Sequence, residues 1–370
     1  MKYLVSGYGP GTGGVNKLVE YLASLSNSDQ CKLYYPKVSS VKNKYVKKII
    51  ENIFYRPWFR LKVRSLKNCD VVIIMQQSVG YNTVDWLIKN CSKVSIYIMD
   101  NGFFCVKAYN YLNAETGECL KCVGGDFTAA KSNKCQPRPT NFRKRAIALQ
   151  ELLYRNSRVI EFLALSETNA KLLTKHFGKD VNVNALYFNT LDFDSLINRD
   201  QQLSSEVYDV VFHAGDITEK GFEYCLELAS YLPDHHFFIP TNTLPAEYSY
   251  LTNITHAAIR WETGLEGIVS SARLVLTPSL WSYTPEAATL KSMICNGSVG
   301  MVKTEFGFCN EVDEGAFLSL TGDAKSDAVT INEFLSGEKS EELRRLCANY
   351  IHQYFSRARK DMISLVQDKS

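Results

Sequence analysis

The chain has 370 residues, 45% of them hydrophobic, and its 42 basic and 39 acidic side chains leave a formal net charge of only +3. Such a chain can bury a sizeable core and is long for one domain, which argues against disorder and for two α/β domains of roughly 150–200 residues each. So even a balance does not describe a nucleic-acid binder, and the informative feature is where the basic residues cluster.

The amino terminus, MKYLVSGYGPGTGG, lacks the apolar run and small-residue cleavage site of a secretory signal. No later segment offers the ~18 apolar residues of a membrane span, so a cytoplasmic location is expected. Compact apolar runs at Tyr3–Ser6, Val71–Met75, Val94–Met99 and Phe162–Ser166 predict strands buried on both faces, as in a parallel sheet. The first runs into a glycine-rich turn, Gly7–Val15, and a predicted helix over Asn16–Ser24. Backbone N–H groups at such a helix start can approach an anion or a sugar, although a tight turn that needs glycine explains the same residues.

Between Lys42 and Lys67 the basic residues Lys44, Lys47, Lys48, Arg56, Arg60, Lys62 and Arg64 interleave with Ile49, Ile50, Phe54, Tyr55, Trp58, Phe59 and Leu61. This mixture suits an anionic membrane surface, and equally an amphipathic helix pair packed on the first domain with its charges solvated. Asp100 follows the strand Val94–Met99 and projects from a strand's carboxyl end, where it is a candidate general base or hydroxyl anchor, or a turn cap. Then come Cys105, Cys119, Cys122 and Cys135, a Cys-x-x-Cys pair flanked by one cysteine on each side. That spacing predicts a tetrahedral structural zinc site, with two disulfides, unrelated thiols or an iron–sulfur cluster as alternatives. The remaining cysteines, such as Cys225, Cys295 and Cys347, stand alone, and the odd total of 11 argues against a general disulfide framework.

Asp192 and Asp194 in a DFD triplet lie one residue apart, a spacing that invites a shared Mg²⁺, but the triplet is read as part of the linker and not as a metal site. The polar stretch Asn198–Glu206 marks the expected domain boundary, and a second strand series follows at Val207–His213, His236–Ile239, Leu274–Thr277 and Val299–Val302. The loop Ala214–Phe222, with Gly215 and Lys220, leads into a helix over Glu223–Tyr231, and a lysine there can neutralise a diphosphate or be a solvated loop residue. The segment Thr277–Gly297 reads as strand end, aromatic loop and helix, with Pro285 as first helical residue and Glu286 in the first turn. Glu286 is placed to accept bonds from ribose or sugar hydroxyls, or merely to favour the helix dipole. A last helix is predicted over Glu341–Val366.

The ordered segments GTGGVNKLVEYL, LALSETNAKLL, LYFNTLDFDSL, FHAGDITEKGF and LTPSLWSYTPEAATLKSMICNG resemble glycosyltransferase family 4 and its relatives of GT-B fold over nearly the whole chain. The resemblance implies two Rossmann-like doubly wound domains facing across a cleft: an acceptor domain over 1–200 with a cysteine-rich insertion at about 100–140, and a donor domain over 201–345. A carboxyl-terminal helix, 346–370, would pack back on the first domain. By motif, Gly13 and Gly14 lie by the donor phosphates and the acceptor, Gly215 and Lys220 hold the diphosphate, and Glu286 holds ribose or sugar. Some family members carry a similar cysteine-rich insertion, and the fold does not generally depend on Mg²⁺. Two departures stand out: Asp216 replaces an arginine of the phosphate motif, and the second glutamate of the family pair falls at Leu290 or Lys291. Lys291 is therefore expected to assist the phosphate.

The implied activity is transfer of a sugar from a nucleotide-diphosphate donor to a glycan or lipid-linked glycan, as in surface polysaccharide synthesis, with nucleic acid excluded as a partner. An epimerase or phosphorylase on the same scaffold is an enzyme alternative. A catalytically silent glycan-binding or assembly subunit is the non-enzyme one.

Overall fold

A computed structural model describes residues 1–11, 13–26, 30–37, 43–113, 117–137, 143–198, 207–337 and 339–367, without the side chains of Lys44, Lys47, Lys48 and Asn52. The expected boundary stretch from residue 199 to 206, together with Lys42, lies outside these residues. The chain divides into two compact units: unit 1 is Met1–Asn110, Leu120–Asp192 and Ser356–Ser370, and unit 2 is Tyr111–Cys119 and Phe193–Phe355. The division after Asp192 precedes the expected boundary at 200, because it falls within the helix Leu191–Ile197. The last helix is continuous over Ser340–Val366, with its final turns in unit 1.

Unit 1 holds strands β1 (Lys2–Ser6), β2 (Cys31–Tyr34), β3 (Asp70–Ile74), β4 (Lys93–Ile98), β5 (Ile160–Ala164) and β6 (Asn182–Ala185). They form one parallel sheet in the order β2-β1-β3-β4-β5-β6. Unit 2 holds β7 (Val210–Phe212), β8 (Phe237–Ile239), β9 (Ile254–His256), β10 (Leu274–Leu276), β11 (Val299–Val302) and β12 (Leu318–Leu320). These are also all parallel, in the order β12-β11-β10-β7-β8-β9.

The continuous apolar runs arise because both faces of the sheet are covered. In β7, Val210 and Phe212 enter one core with Leu226, Leu228, Ile331 and Phe334. Val211, pointing the other way, enters a second core with Phe238, Val269 and Val275. Side chains of this kind contribute ~1.5–3 kcal/mol each on burial, which holds the strand ends rigid. In both sheets the order reverses beside the first strand, between β1 and β3 and between β7 and β10. Ligands of such sheets bind at the carboxyl ends of the strands at that reversal.

Candidate functional site

At the reversal in unit 2, β7 ends in His213, β10 runs into Thr277–Ser279, and a short 3-10 turn, Thr218–Lys220, precedes the helix Phe222–Tyr231. Lys220 Nζ lies 3.5 Å from Glu286 Oε1, and the Ser279 hydroxyl donates to Glu286 Oε2 at 3.0 Å. Gly221 between turn and helix has φ +81°, and a Cβ there would come within 2.4 Å of the Pro278 carbonyl oxygen. Only glycine lets the lysine-bearing turn close on the β10 loop. Gly215 is exposed on the same loop, where an added Cβ would meet only the Lys220 stem, at 3.7 Å.

The helix expected from Pro285 begins at Ala287, and Glu286 is its N-cap in extended backbone, φ −90° and ψ 142°. Its carboxylate makes no capping bond, since it is turned toward Ser279 and Lys220. The carboxylate thus belongs to a polar cluster while still lying at the positive end of the helix.

Three residues that the sequence did not mark complete this cluster. The buried His213 ring stacks on Trp261, 5.1 Å between centroids and 13° between planes, and its Nδ1 lies 2.8 Å from Ser292 Oγ. Ser292 donates its own proton to the Ala288 carbonyl, so His213 Nδ1 is the donor of that pair. Burial, then the charges of Lys291 and Lys220, push the imidazole down to about 3, and it stays neutral. Lys291 Nζ lies 4.7 Å from the Trp261 ring centroid, a cation–π contact. Lys220, paired with Glu286, and Lys291 thus both act on His213, at the carboxyl end of β7. Asp216, exposed on the same loop, has its carboxylate within 3.4 Å of the Thr241 hydroxyl.

In unit 1, Gly13 is the N-cap of the helix Gly14–Leu25 with φ +101°, and neither a capping side chain nor an acidic residue covers that helix start. A Cβ on the exposed Gly14 would meet nothing within 4 Å, so there is room for a ligand group above the orphan N–H groups. Asp100 accepts from Gly102 N–H at 2.8 Å and from the Gln77 amide at 2.6 Å, both on Oδ1. Desolvation raises its carboxyl above the usual range while these two bonds pull it back. It caps the Asn101–Phe103 turn, as the alternative reading expected, and its Oδ2 accepts no hydrogen bond from the described residues. Nearby strand ends carry two buried amides, Gln76 after β3 and Asn169 after β5, whose side-chain atoms have no hydrogen-bond partner among the described residues. Gln76 follows Met75, held at φ +55°, a strained backbone for a non-glycine residue.

Other expectations fare differently. Cys122 and Cys135 pack on Val106, Phe127, Ala130 and Ile147 in unit 1, whereas Cys119 belongs to unit 2. Among the described residues no three or more His, Cys, Asp or Glu are grouped so as to hold a metal ion. Zinc at Cys105, Cys119, Cys122 and Cys135 stays a proposal, and no step is derived through it. Within the insertion, Gly124 N–H donates to Nδ1 of buried His176, whose ring is enclosed by Phe103, Phe104, Phe127, Tyr154 and Phe177. Asp192 pairs with Lys17 at 3.4 Å. A cavity of about 660 Å³ in unit 1 takes in Lys2, Lys93, Glu161 and Arg357, whose charges already engage protein groups, such as Glu161 for Lys93 at 3.0 Å.

The basic aromatic stretch is helical over Lys44–Ile50, Glu51–Tyr55 and Arg56–Arg64. Phe59, Val63 and Leu66 turn inward. Tyr45, Ile49, Ile53, Phe54, Trp58 and Leu61 stay outside, with Phe54 62% and Leu61 65% exposed, beside the exposed Arg56, Arg60, Lys62 and Arg64. No helix among the described residues is long and apolar enough to cross a membrane.

No family model and no curated protein sequence matches the chain. Several solved structures are similar to it across nearly their full length. Sucrose-phosphate synthase from Thermosynechococcus elongatus matches with a TM-score of 0.62 at 12% identity, covering 98% of this chain and 97% of that one. Anabaena HepE in complex with UDP and glucose matches with a TM-score of 0.59 at 12% identity, covering 99% of each. WaaG, a glycosyltransferase involved in lipopolysaccharide biosynthesis, matches with a TM-score of 0.56 at 12% identity, covering 98% of each. At such identity the likeness is one of architecture: the chain has the GT-B fold, two Rossmann-like units each built on a six-stranded parallel sheet.

Proposed function

We propose that this chain is a glycosyltransferase that moves a sugar from a nucleoside diphosphate to a hydroxyl of a glycan or lipid-linked glycan, in the synthesis of a bacterial surface polysaccharide. The observation that carries this reading is the cluster of Lys220, Glu286, Ser279 and Lys291 at the strand reversal of unit 2. The similarity to HepE, solved with UDP and glucose, supports a nucleotide-sugar donor.

In this reading Lys220 and Lys291 face the donor diphosphate, and Glu286, fixed by Ser279, accepts hydrogen bonds from ribose or donor-sugar hydroxyls. When the bond from the sugar's anomeric carbon to the diphosphate breaks, negative charge grows on the departing phosphate. Lysines already in place stabilise it without reorganising, an effect worth on the order of 10²–10³ in rate for a single lost donor. The acceptor hydroxyl binds in unit 1 by Gly13, Gly14 and the amides of Gln76 and Asn169. Asp100 takes its proton through Oδ2, and the raised carboxyl suits a base. No metal enters these steps. The exposed ridge Ile49–Leu61 with its basic flank docks the enzyme on the anionic inner face of the cytoplasmic membrane, where lipid-linked acceptors reside.

Titration calorimetry with UDP, GDP, ADP, CDP and dTDP in EDTA tests the donor site. One nucleotide is expected to bind, and Lys220→Ala to weaken it by ~1.5–3 kcal/mol, roughly 10- to 150-fold. Binding of none would favour the silent-subunit reading, to which Asp216 in the phosphate loop already lends an observation.

A further inference from the structure

The segment Tyr111–Cys119 leaves unit 1 at Asn110, belongs to unit 2 and returns to unit 1 at Leu120. It doubles back on itself, with Tyr111 and Glu118 facing each other in an antiparallel bridge. The Glu118 carboxylate accepts from the Ser282 hydroxyl and from the backbone N–H groups of Glu305 and Phe306, the last at 3.3 Å. Removing a carboxylate from water costs several kcal/mol unless donors replace the water, and here three converge on one group. Desolvation still holds its carboxyl above the usual range. Tyr111, at the other side of the bridge, feels the carboxylates of Glu223 and Glu219, which flank Lys220 in sequence or begin the next helix.

The β10 loop that Glu118 reaches through Ser282 carries Ser279 and Glu286 of the donor cluster, and the β11 loop is bonded to it. Ser282 lies between Ser279 and Glu286, and the same loop accepts Thr304 Oγ1 on the Trp281 carbonyl at 3.2 Å and Phe308 N–H on the Tyr283 carbonyl at 2.8 Å. Leu280 N–H in turn donates to the Glu219 carbonyl at 2.9 Å, tying the loop to the Lys220 turn.

We propose that the Tyr111–Glu118 bridge is a strap that clamps the donor site, and that Glu118 is its positioning residue, holding the β10 and β11 loops in the arrangement that receives the sugar end of the donor. This rests on the donor-site reading of unit 2. Nothing in it requires Glu118 to touch the donor, because its carboxylate is filled by Ser282 and the two amides.

The test compares wild type, Glu118→Ala, Glu118→Gln and Lys220→Ala for binding of each nucleoside diphosphate and its glucose conjugate, with amide hydrogen exchange at residues 304–307. Glu118→Ala is expected to weaken the sugar conjugate tenfold or more, to change the bare diphosphate less than threefold and to speed exchange at Glu305 and Phe306. Glu118→Gln, which keeps one acceptor oxygen, should recover most of the affinity. Equal losses for both ligands would reduce Glu118 to a fold-stabilising contact, and tighter binding in Glu118→Ala would make the strap a plug; either overturns the proposal. If wild type binds no nucleotide, the donor reading itself fails and the clamp with it. Binding in wild type that Lys220→Ala abolishes and Glu118→Ala leaves intact would overturn the clamp alone.

Discussion

Protonation of His213 should unlock unit 2 in mild acid. In the folded chain this imidazole is buried and pushed down to about 3, while the unfolded side chain takes up its proton near 6.5. Between those values the unfolded state binds the extra proton, so stability is complete above about pH 6.5 and falls as pH drops toward 3. Each pH unit in that window costs up to about 1.4 kcal/mol, or ~2 kcal/mol by pH 5. For a unit of this size that is roughly 4–8 °C in Tm. His176, also pushed to about 3 by burial, adds a similar term in unit 1, so the effect is isolated with His213→Asn, whose amide still donates to Ser292. Raised carboxyls such as Asp100 and Glu118 work in the opposite direction, but they are common to both proteins and cancel. Differential scanning calorimetry at pH 7.5 and 5 should show the wild type losing about 2 kcal/mol more than the variant. Equal acid losses would mean that His213 is hydrated or protonated in the native state, contrary to its stacking under Trp261.

Gly221→Ala should destabilise unit 2 by at least ~1–2 kcal/mol from the left-handed backbone alone, and weaken nucleotide binding by moving Lys220, as denaturant titration and calorimetry would show. The double substitution Ile53→Glu with Leu61→Glu should lower co-sedimentation with phosphatidylglycerol vesicles at least tenfold, because it charges the exposed ridge without entering the core. Elemental analysis of purified wild type and Cys122→Ser tests the zinc proposal: one equivalent per chain that disappears in the variant supports the four-thiolate site, and well under one in wild type overturns it.

The central strands were legible because both faces of each sheet are buried, which writes an unbroken apolar run such as Leu4–Val5 or Val71–Ile74. The edge strands β2, β6, β9 and β12 were not. A segment such as Asn182–Ala185 alternates polar and apolar residues but is only four residues long with none fully buried, too short to be told from loop. Lys220 and Glu286 were readable because each stands directly after a strand in a recognisable turn. Trp261 and Ser292 were not, since their meaning lies in a ring stack and a hydrogen bond to His213 from elsewhere in the sequence. Glu118 was hidden for the same reason: its Ser282 partner is 164 residues away. Pro285 misled by two positions: the helix starts at Ala287, and Glu286, bonded to Ser279 and paired with Lys220, is its N-cap.

The most direct measurement is turnover. Wild type, Lys220→Ala and Glu286→Ala would be incubated with a panel of nucleotide sugars and membrane extract, and release of nucleoside diphosphate followed. Release from one donor that depends on extract and falls at least a hundredfold in both variants is what the account predicts. Release that survives both substitutions, or none from any donor by a well-folded wild type, would contradict it.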